Sequence, residues 1–221
     1  MDLLRRTPWS RVVIRLELAA EPLDFDNSVR KPGQSFLGKC PNPSSKDFKV
    51  ANSSYWRLAS KNLHDVYRNI CAYSGLYLPL RSGTVDHFMP KVAHPQLAYE
   101  WTNLRLASDK MNMYKSDSQE VIDPIVVEAG WFLLEFPSCL MLPNAALPEI
   151  ISAQVQKTIN ILKLNADDIY VQERCEIMLE YGAENVSIEY LVRRYPFIAA
   201  EIVRQNLNPQ LVKALFKSKG T

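Results

Sequence analysis

The chain lacks the features that identify several common protein classes. Its four cysteines, Cys40, Cys71, Cys139 and Cys175, are widely spaced and form no Cys-x-x-Cys pair. This spacing therefore indicates neither a zinc ribbon nor a thioredoxin-type redox site. Isolated thiols are typical of proteins from a reducing compartment rather than of secreted domains held together by disulfides.

Long apolar runs are also missing. Near the N-terminus the run Val12-Val13-Ile14 is interrupted by Arg15 and Glu17, which makes it too short and too polar for a signal peptide or a membrane span. We therefore expect a cytoplasmic protein with no membrane contact.

The chain has little excess charge of either sign. Its 26 Lys and Arg residues face 24 Asp and Glu residues, which leaves a formal net charge of +2. A protein that holds nucleic acid by bulk electrostatics carries a stronger basic excess. If this chain acts on nucleic acid, a local basic surface or a partner must supply the contact.

Length and composition are those of an ordinary globular protein. The 221 residues are 47% hydrophobic and 23% charged, enough for one sizeable domain or for a small core with additions. The pattern along the chain predicts an α+β fold. In the first half it predicts a strand at 11–18, a long irregular segment at 21–50 and a helix at 53–73. Two short strands, at 76–78 and 85–88, are predicted to pair as a hairpin. Irregular segments as long as 21–50 often bind a partner.

The second half is predicted to be mainly helical. Ser108 can cap a helix over 109–117, and a strand follows within 131–136. Prolines 137, 143 and 148 then indicate a loop. The first C-terminal helix is expected to carry an apolar stripe from Ile151 to Leu162, and a second should run over 166–181. Ser187 can cap a third helix, which Pro196 breaks, and Pro209 begins the last.

One stretch, 84–115, carries the residues for chemistry. Asp86 and Asn112 can hold a hard cation such as Mg²⁺ or Mn²⁺ through oxygen atoms. His87 can take a proton from water near neutral pH, because the ordinary pKa of an imidazole is about 6.5. Lys115, three residues after Asn112 on the same helix face, and Lys91 can contact a phosphate. Together these residues can hydrolyse a phosphodiester.

This order of residues resembles that of the HNH nucleases, whose catalytic core is a compact ββα-metal fold. The resemblance covers about residues 71–117 and is carried by Asp86, His87, Pro90, Asn103, Leu104, Asn112 and Lys115. It implies a metal-dependent endonuclease that acts on DNA, with residues 1–70 supporting the core and a helical region over 118–221. It also implies that Asn103 is the central Asn of the family, which braces the loop bearing His87.

The sequence departs from the family pattern in two ways. Asn112 stands where the last His of the family name is usual, which changes a ligand without removing the site. Many members also bind structural zinc through four cysteines, but here those positions hold Cys71, Ser74, Ser108 and Met111. No structural zinc is expected.

A weaker similarity extends into the C-terminal region, at Leu162-Lys163-Leu164-Asn165 and Arg174. In this region the chain resembles HNH proteins of bacterial antiphage defence systems of the retron and Septu type. This similarity implies an antiviral effector controlled by a partner, such as an ATPase.

Other interpretations stay open at this point. Taken singly, His87 can be a structural histidine, Asn103 a turn residue, Asn112 a solvent-facing helix residue, and each lysine a solvated surface group. A catalytically silent adaptor that binds nucleic acid or protein through an HNH fold is the second hypothesis. A small-molecule metallohydrolase is the third, although no pocket motif supports it.

Overall fold

The computed structural model of the chain describes residues 17–50, 53–80 and 82–217. These residues form an α+β fold with eight α-helices and two two-stranded antiparallel sheets. They divide into two compact units. We call residues 17–72 and 78–119 the site unit, and residues 73–77 and 120–217 the C-terminal unit.

The centre of the site unit is a hairpin followed by a helix. β1 (Gly83–His87) pairs with β2 (Leu104–Ser108), so that Gly83 lies opposite Ser108 and His87 opposite Leu104. The backbone enters α3 (Asp109–Lys115) directly after β2, and the Ser108 side chain accepts a hydrogen bond from the Met111 N–H. This N-cap is the one predicted from the sequence. Strand, strand and helix therefore follow in ββα order.

The predicted hairpin between 76–78 and 85–88 is wrong, because β1 pairs with β2 instead. The preceding helix is also shorter than predicted. A 3₁₀ turn (Tyr55–Ala59) leads into α2 (Ser60–Val66). Arg68 and Asn69 then adopt positive φ angles of 52° and 62°, which end the helical path well before residue 73.

The segment 21–50 is not the irregular stretch that its prolines suggest. A π-helical turn (Asp26–Arg30) continues into α1 (Lys31–Lys39), and a 3₁₀ turn follows at Asp47–Lys49. Pro32 has no backbone N–H, so a regular α-helical ladder cannot continue through it, and the turn before it is wider. Of the strand predicted at 11–18, residues 11–16 lie outside the described residues, and the other two are in no regular element.

The C-terminal unit follows the predicted order more closely. β3 (Phe132–Leu134) lies in the predicted strand segment, and β4 (Met141–Pro143), within the predicted loop, pairs with it. Ser187 caps a helix and Pro209 begins one, as predicted, and the helix capped by Ser187 ends before Pro196, which itself begins the next helix. The helices of this unit are α4 (Glu149–Ile161), α5 (Asp168–Gly182), α6 (Ile188–Arg194), α7 (Pro196–Arg204) and α8 (Pro209–Lys217).

Within the described part of the chain, none of the helices combines the length and the apolar character that crossing a membrane requires.

Candidate functional site

A buried ion pair joins α3 to the end of β1. The Lys115 ammonium is fully buried and lies 3.3 Å from both carboxylate oxygens of Asp86, which is 2% exposed. Lys115 also donates a 2.8 Å hydrogen bond to the His87 carbonyl oxygen. This position differs from the phosphate-facing one predicted from the sequence. Lys115 holds the backbone and the carboxylate at the end of β1, and it does not face solvent.

His87 is held in one tautomer by the backbone. Its Nε2 lies 2.9 Å from the Ala98 carbonyl oxygen, which can only accept, so Nε2 carries the proton. The neutral ring therefore has its lone pair on Nδ1, and no described residue forms a hydrogen bond with that atom. Trp56 contacts the ring edge-on, with 4.9 Å between ring centroids. Nδ1 is the atom that can accept a proton.

The surroundings of His87 keep the ring neutral. Burial is the main cause that lowers the pKa of His87, to about 3, and the nearby charge of Lys91 adds to it, while the Ala98 hydrogen bond opposes it. The lone pair of Nδ1 is thus available throughout the neutral pH range.

This environment predicts a pH-dependent stability. In the unfolded chain the ring takes up a proton below about pH 6.5, whereas the folded protein resists protonation. As pH falls from about 6 towards 4, the free energy of unfolding should therefore decrease by about 1.4 kcal/mol per pH unit from this group. Urea denaturation of the wild type and His87→Gln at several pH values measures the difference. Parallel pH dependences in the two proteins would contradict the prediction.

Asn103 fixes the loop between β1 and β2. Its Nδ2 donates to the carbonyl oxygens of Met89 (3.0 Å) and Leu97 (3.1 Å), and its Oδ1 accepts from the Met89 N–H (2.7 Å). The residue is 4% exposed. These bonds tie both ends of the loop that follows His87 to the start of β2. Asn103 therefore braces this loop, and its role as the central Asn of an HNH site stays a prediction.

Replacing Asn103 with alanine should destabilise the site unit by about 3 kcal/mol. One N–H and two carbonyl groups lose their partner in a buried loop, and unsatisfied buried groups cost about 1–3 kcal/mol each. Urea denaturation measures the loss. The control is Asn27→Ala, an exposed Asn in the same unit, for which we expect a change within about 0.5 kcal/mol. Equal effects of the two changes would argue against the bracing role.

Lys91 lies beside the site on an aromatic surface. Its ammonium is 5.4 Å from the ring centroid of Trp56 and 5.9 Å from that of Phe48. Burial lowers its pKa, and the charges of Asp117 and Asp86 oppose that shift. Lys91 is partly exposed, in contrast to Lys115. Of the two lysines that the sequence assigns to phosphate, Lys91 has the position that fits a phosphate contact.

The remaining predicted ligand is Asn112, in the second turn of α3. It is partly exposed, and its side-chain amide forms no hydrogen bond within the described residues. No group of three or more His, Cys, Asp or Glu side chains gathers in the part of the chain that the structure describes. A cation here would therefore depend on Asp86, the Asn112 amide oxygen, water and substrate. This oxygen-only donor set fits a weakly held Mg²⁺ or Mn²⁺.

Sequence reasoning missed the backbone partner of His87. Ala98 acts through its carbonyl group, which leaves no side-chain signal. Three large or charged residues, Tyr99, Glu100 and Trp101, follow it directly, and Tyr99 and Trp101 are 1% and 2% exposed. The two buried aromatic residues, Tyr99 and Trp101, lie shortly before Asn103 and were the sequence signal that could have indicated a buried segment here.

Comparison with known proteins adds no identification. No protein-family model matches the sequence, and no curated protein shows significant similarity to it.

Proposed function

We propose that the protein is a metal-dependent endonuclease of the HNH type, which hydrolyses phosphodiester bonds in DNA. The observation that carries the proposal is the state of His87. The Ala98 carbonyl oxygen accepts a hydrogen bond from Nε2–H, so the lone pair remains on Nδ1 of a residue that follows Asp86 and ends the first strand of a ββα unit.

Each residue of the site has a separate role in the proposed reaction. His87 Nδ1 takes a proton from the attacking water. Asp86 and Asn112 would hold the cation, which supplies charge neutralisation at the scissile phosphate when bound. Lys91 contacts a phosphate oxygen, and Asn103 positions the loop after His87. Lys115 positions Asp86 and the His87 carbonyl.

Control by a partner is part of the proposal. His87 is 6% exposed and Asp86 is 2% exposed, so a phosphodiester must gain access before it can react. The net charge of +2 also offers little general attraction for DNA. Both observations fit an antiphage effector to which an ATPase or another partner protein delivers the substrate.

The second candidate is a catalytically silent adaptor with an HNH-like fold. The observation that favours it is the Lys115–Asp86 pair, because the ammonium balances the carboxylate charge without a metal ion. An adaptor of this kind would keep its biological activity after His87 is replaced.

The test is cleavage by the purified full chain. Supercoiled plasmid, single-stranded DNA and RNA are incubated with Mg²⁺ or Mn²⁺, with EDTA as the metal-free control. Metal-dependent cutting of DNA that is lost in His87→Gln supports the nuclease. If the chain alone does not cut, the assay is repeated with the product of a neighbouring gene. Cutting of DNA by His87→Gln at the wild-type rate would overturn the proposal.

A further inference from the structure

The segment that orients His87 is itself held by the N-terminal part of the site unit. We define the N-terminal arm as residues 19–39, which include the π-helical turn and α1. The arm contacts three consecutive residues, Tyr99, Glu100 and Trp101. They directly follow Ala98, whose carbonyl oxygen accepts the His87 hydrogen bond.

Glu100 and Trp101 are attached to the arm by polar contacts. Arg30 Nε donates a 2.9 Å hydrogen bond to Glu100 Oε2, and this arginine also pairs with Glu21 and Asp26. The Trp101 Nε1 donates a 2.8 Å hydrogen bond to the Ala19 carbonyl oxygen. These contacts fix the backbone that runs from Ala98 to the central Asn.

Tyr99 is attached to the arm by packing. Its ring lies directly on Gly33 of α1, so closely that a Cβ at residue 33 would be 2.1 Å from Tyr99 Cγ. Atoms cannot approach that closely, so any side chain at residue 33 must displace the ring or the helix. The Tyr99 hydroxyl also donates to the Ser53 carbonyl oxygen at 2.7 Å, so the ring is held at both ends.

We infer that the N-terminal arm is a positioning element for His87. Docking of the arm on residues 99–101 places the Ala98 carbonyl, and this carbonyl holds the His87 proton on Nε2. The arm touches no predicted metal ligand or phosphate-binding lysine in the contacts described above. The inference rests on the proposed function only for the use of Nδ1 as the base.

The test compares two identical substitutions in one helix. Gly33→Ala places a methyl group against Tyr99, whereas Gly38→Ala meets nothing within 4 Å. Both changes raise the helix propensity of α1 equally. The first readout is the ¹⁵N spectrum of the histidine rings, which distinguishes the two neutral tautomers. The chain has only three histidines. The Nδ1 of His64 lies 2.8 Å from Asn69 Oδ1, an acceptor, so His64 carries its proton on Nδ1. Its signals are an internal reference for the tautomer opposite to that of His87.

We expect Gly33→Ala to turn the single Nε2–H form of His87 into a mixture of tautomers, and Gly38→Ala to leave it unchanged. The second readout is cleavage. Gly33→Ala should lower kcat by about 10- to 100-fold, because small displacements of a catalytic group are costly, with KM within about twofold. Gly38→Ala should stay within about twofold in both constants.

Unchanged His87 signals in a folded Gly33→Ala protein would overturn the inference. If Gly33→Ala does not fold, Glu100→Gln replaces it, since it removes the charge that pairs with Arg30 and keeps the side-chain shape. A wild-type His87 spectrum in Glu100→Gln would then overturn the inference. If the wild type cuts no nucleic acid, the spectra alone decide. A shifted tautomer would support the arm's role while the nuclease proposal fails.

Discussion

Replacing His87 with glutamine should lower the rate of metal-dependent DNA cleavage by about 10²- to 10⁴-fold, the usual contribution of a general base. The glutamine amide can take over the N–H donor that meets the Ala98 carbonyl oxygen, but it has no basic nitrogen in place of Nδ1. The change therefore removes the proposed chemistry and keeps the hydrogen bond that supports the fold. Initial rates of plasmid nicking, with thermal unfolding of both proteins, measure the effect.

His94→Gln is the matched control. His94 lies seven residues further along the same loop, and its backbone N–H bonds to the Pro90 carbonyl oxygen. Because none of the contacts among the described residues places its ring in the site, we expect a rate within about twofold of the wild type. A folded His87→Gln protein that cuts as fast as His94→Gln would show that His87 is not the base.

Replacing Lys115 with methionine should destabilise the protein by about 3–5 kcal/mol, the range for breaking a buried ion pair by removing one partner. Methionine has a similar length, so the loss is chiefly one of charge. The Asp86 carboxylate, 2% exposed, loses the ammonium 3.3 Å away, and the His87 carbonyl loses a donor. Urea denaturation at pH 7 measures the free energy of unfolding.

Lys61→Met is the control for Lys115→Met. Lys61 also pairs with an aspartate, Asp65, but its side chain is 81% exposed, so the expected loss is within about 0.5 kcal/mol. Adding Asp86→Asn to Lys115→Met should recover part of the stability, because it removes the buried charge. A Lys115→Met protein of wild-type stability that has lost DNA affinity would instead support the phosphate contact predicted from the sequence.

Several local elements could be predicted because their causes lie within a few residues. Ser108 and Ser187 each accept a hydrogen bond from the backbone N–H three residues later. Pro196 ends the path of the helix capped by Ser187, as predicted, and Pro209 begins the last helix, because the first turn needs no donor from it. Their local chemistry is independent of the rest of the fold.

The elements that sequence reasoning missed depend on distant partners. α1 contains Gly33, which weakens a helix, yet it forms against the Tyr99 ring more than 60 residues away. β1 was predicted to pair with residues 76–78, the nearest apolar run. It pairs instead with β2 across a long loop, whose two ends are tied together by the three hydrogen bonds of Asn103.

The sequence by itself determined which groups are available for chemistry and their order along the chain, from Asp86 to Lys115. Only the tertiary structure decided the surroundings and the hydrogen-bond partners of each group. Lys115 and Lys91 have the same side chain, but one is buried against Asp86 and the other lies on Trp56. A neutral histidine can carry its proton on either ring nitrogen, and the Ala98 carbonyl oxygen selects Nε2 for His87. The physical reason is that the residues that bury a side chain and bond to it lie far apart in the chain. Burial and hydrogen bonding together set the protonation state and the orientation of that side chain.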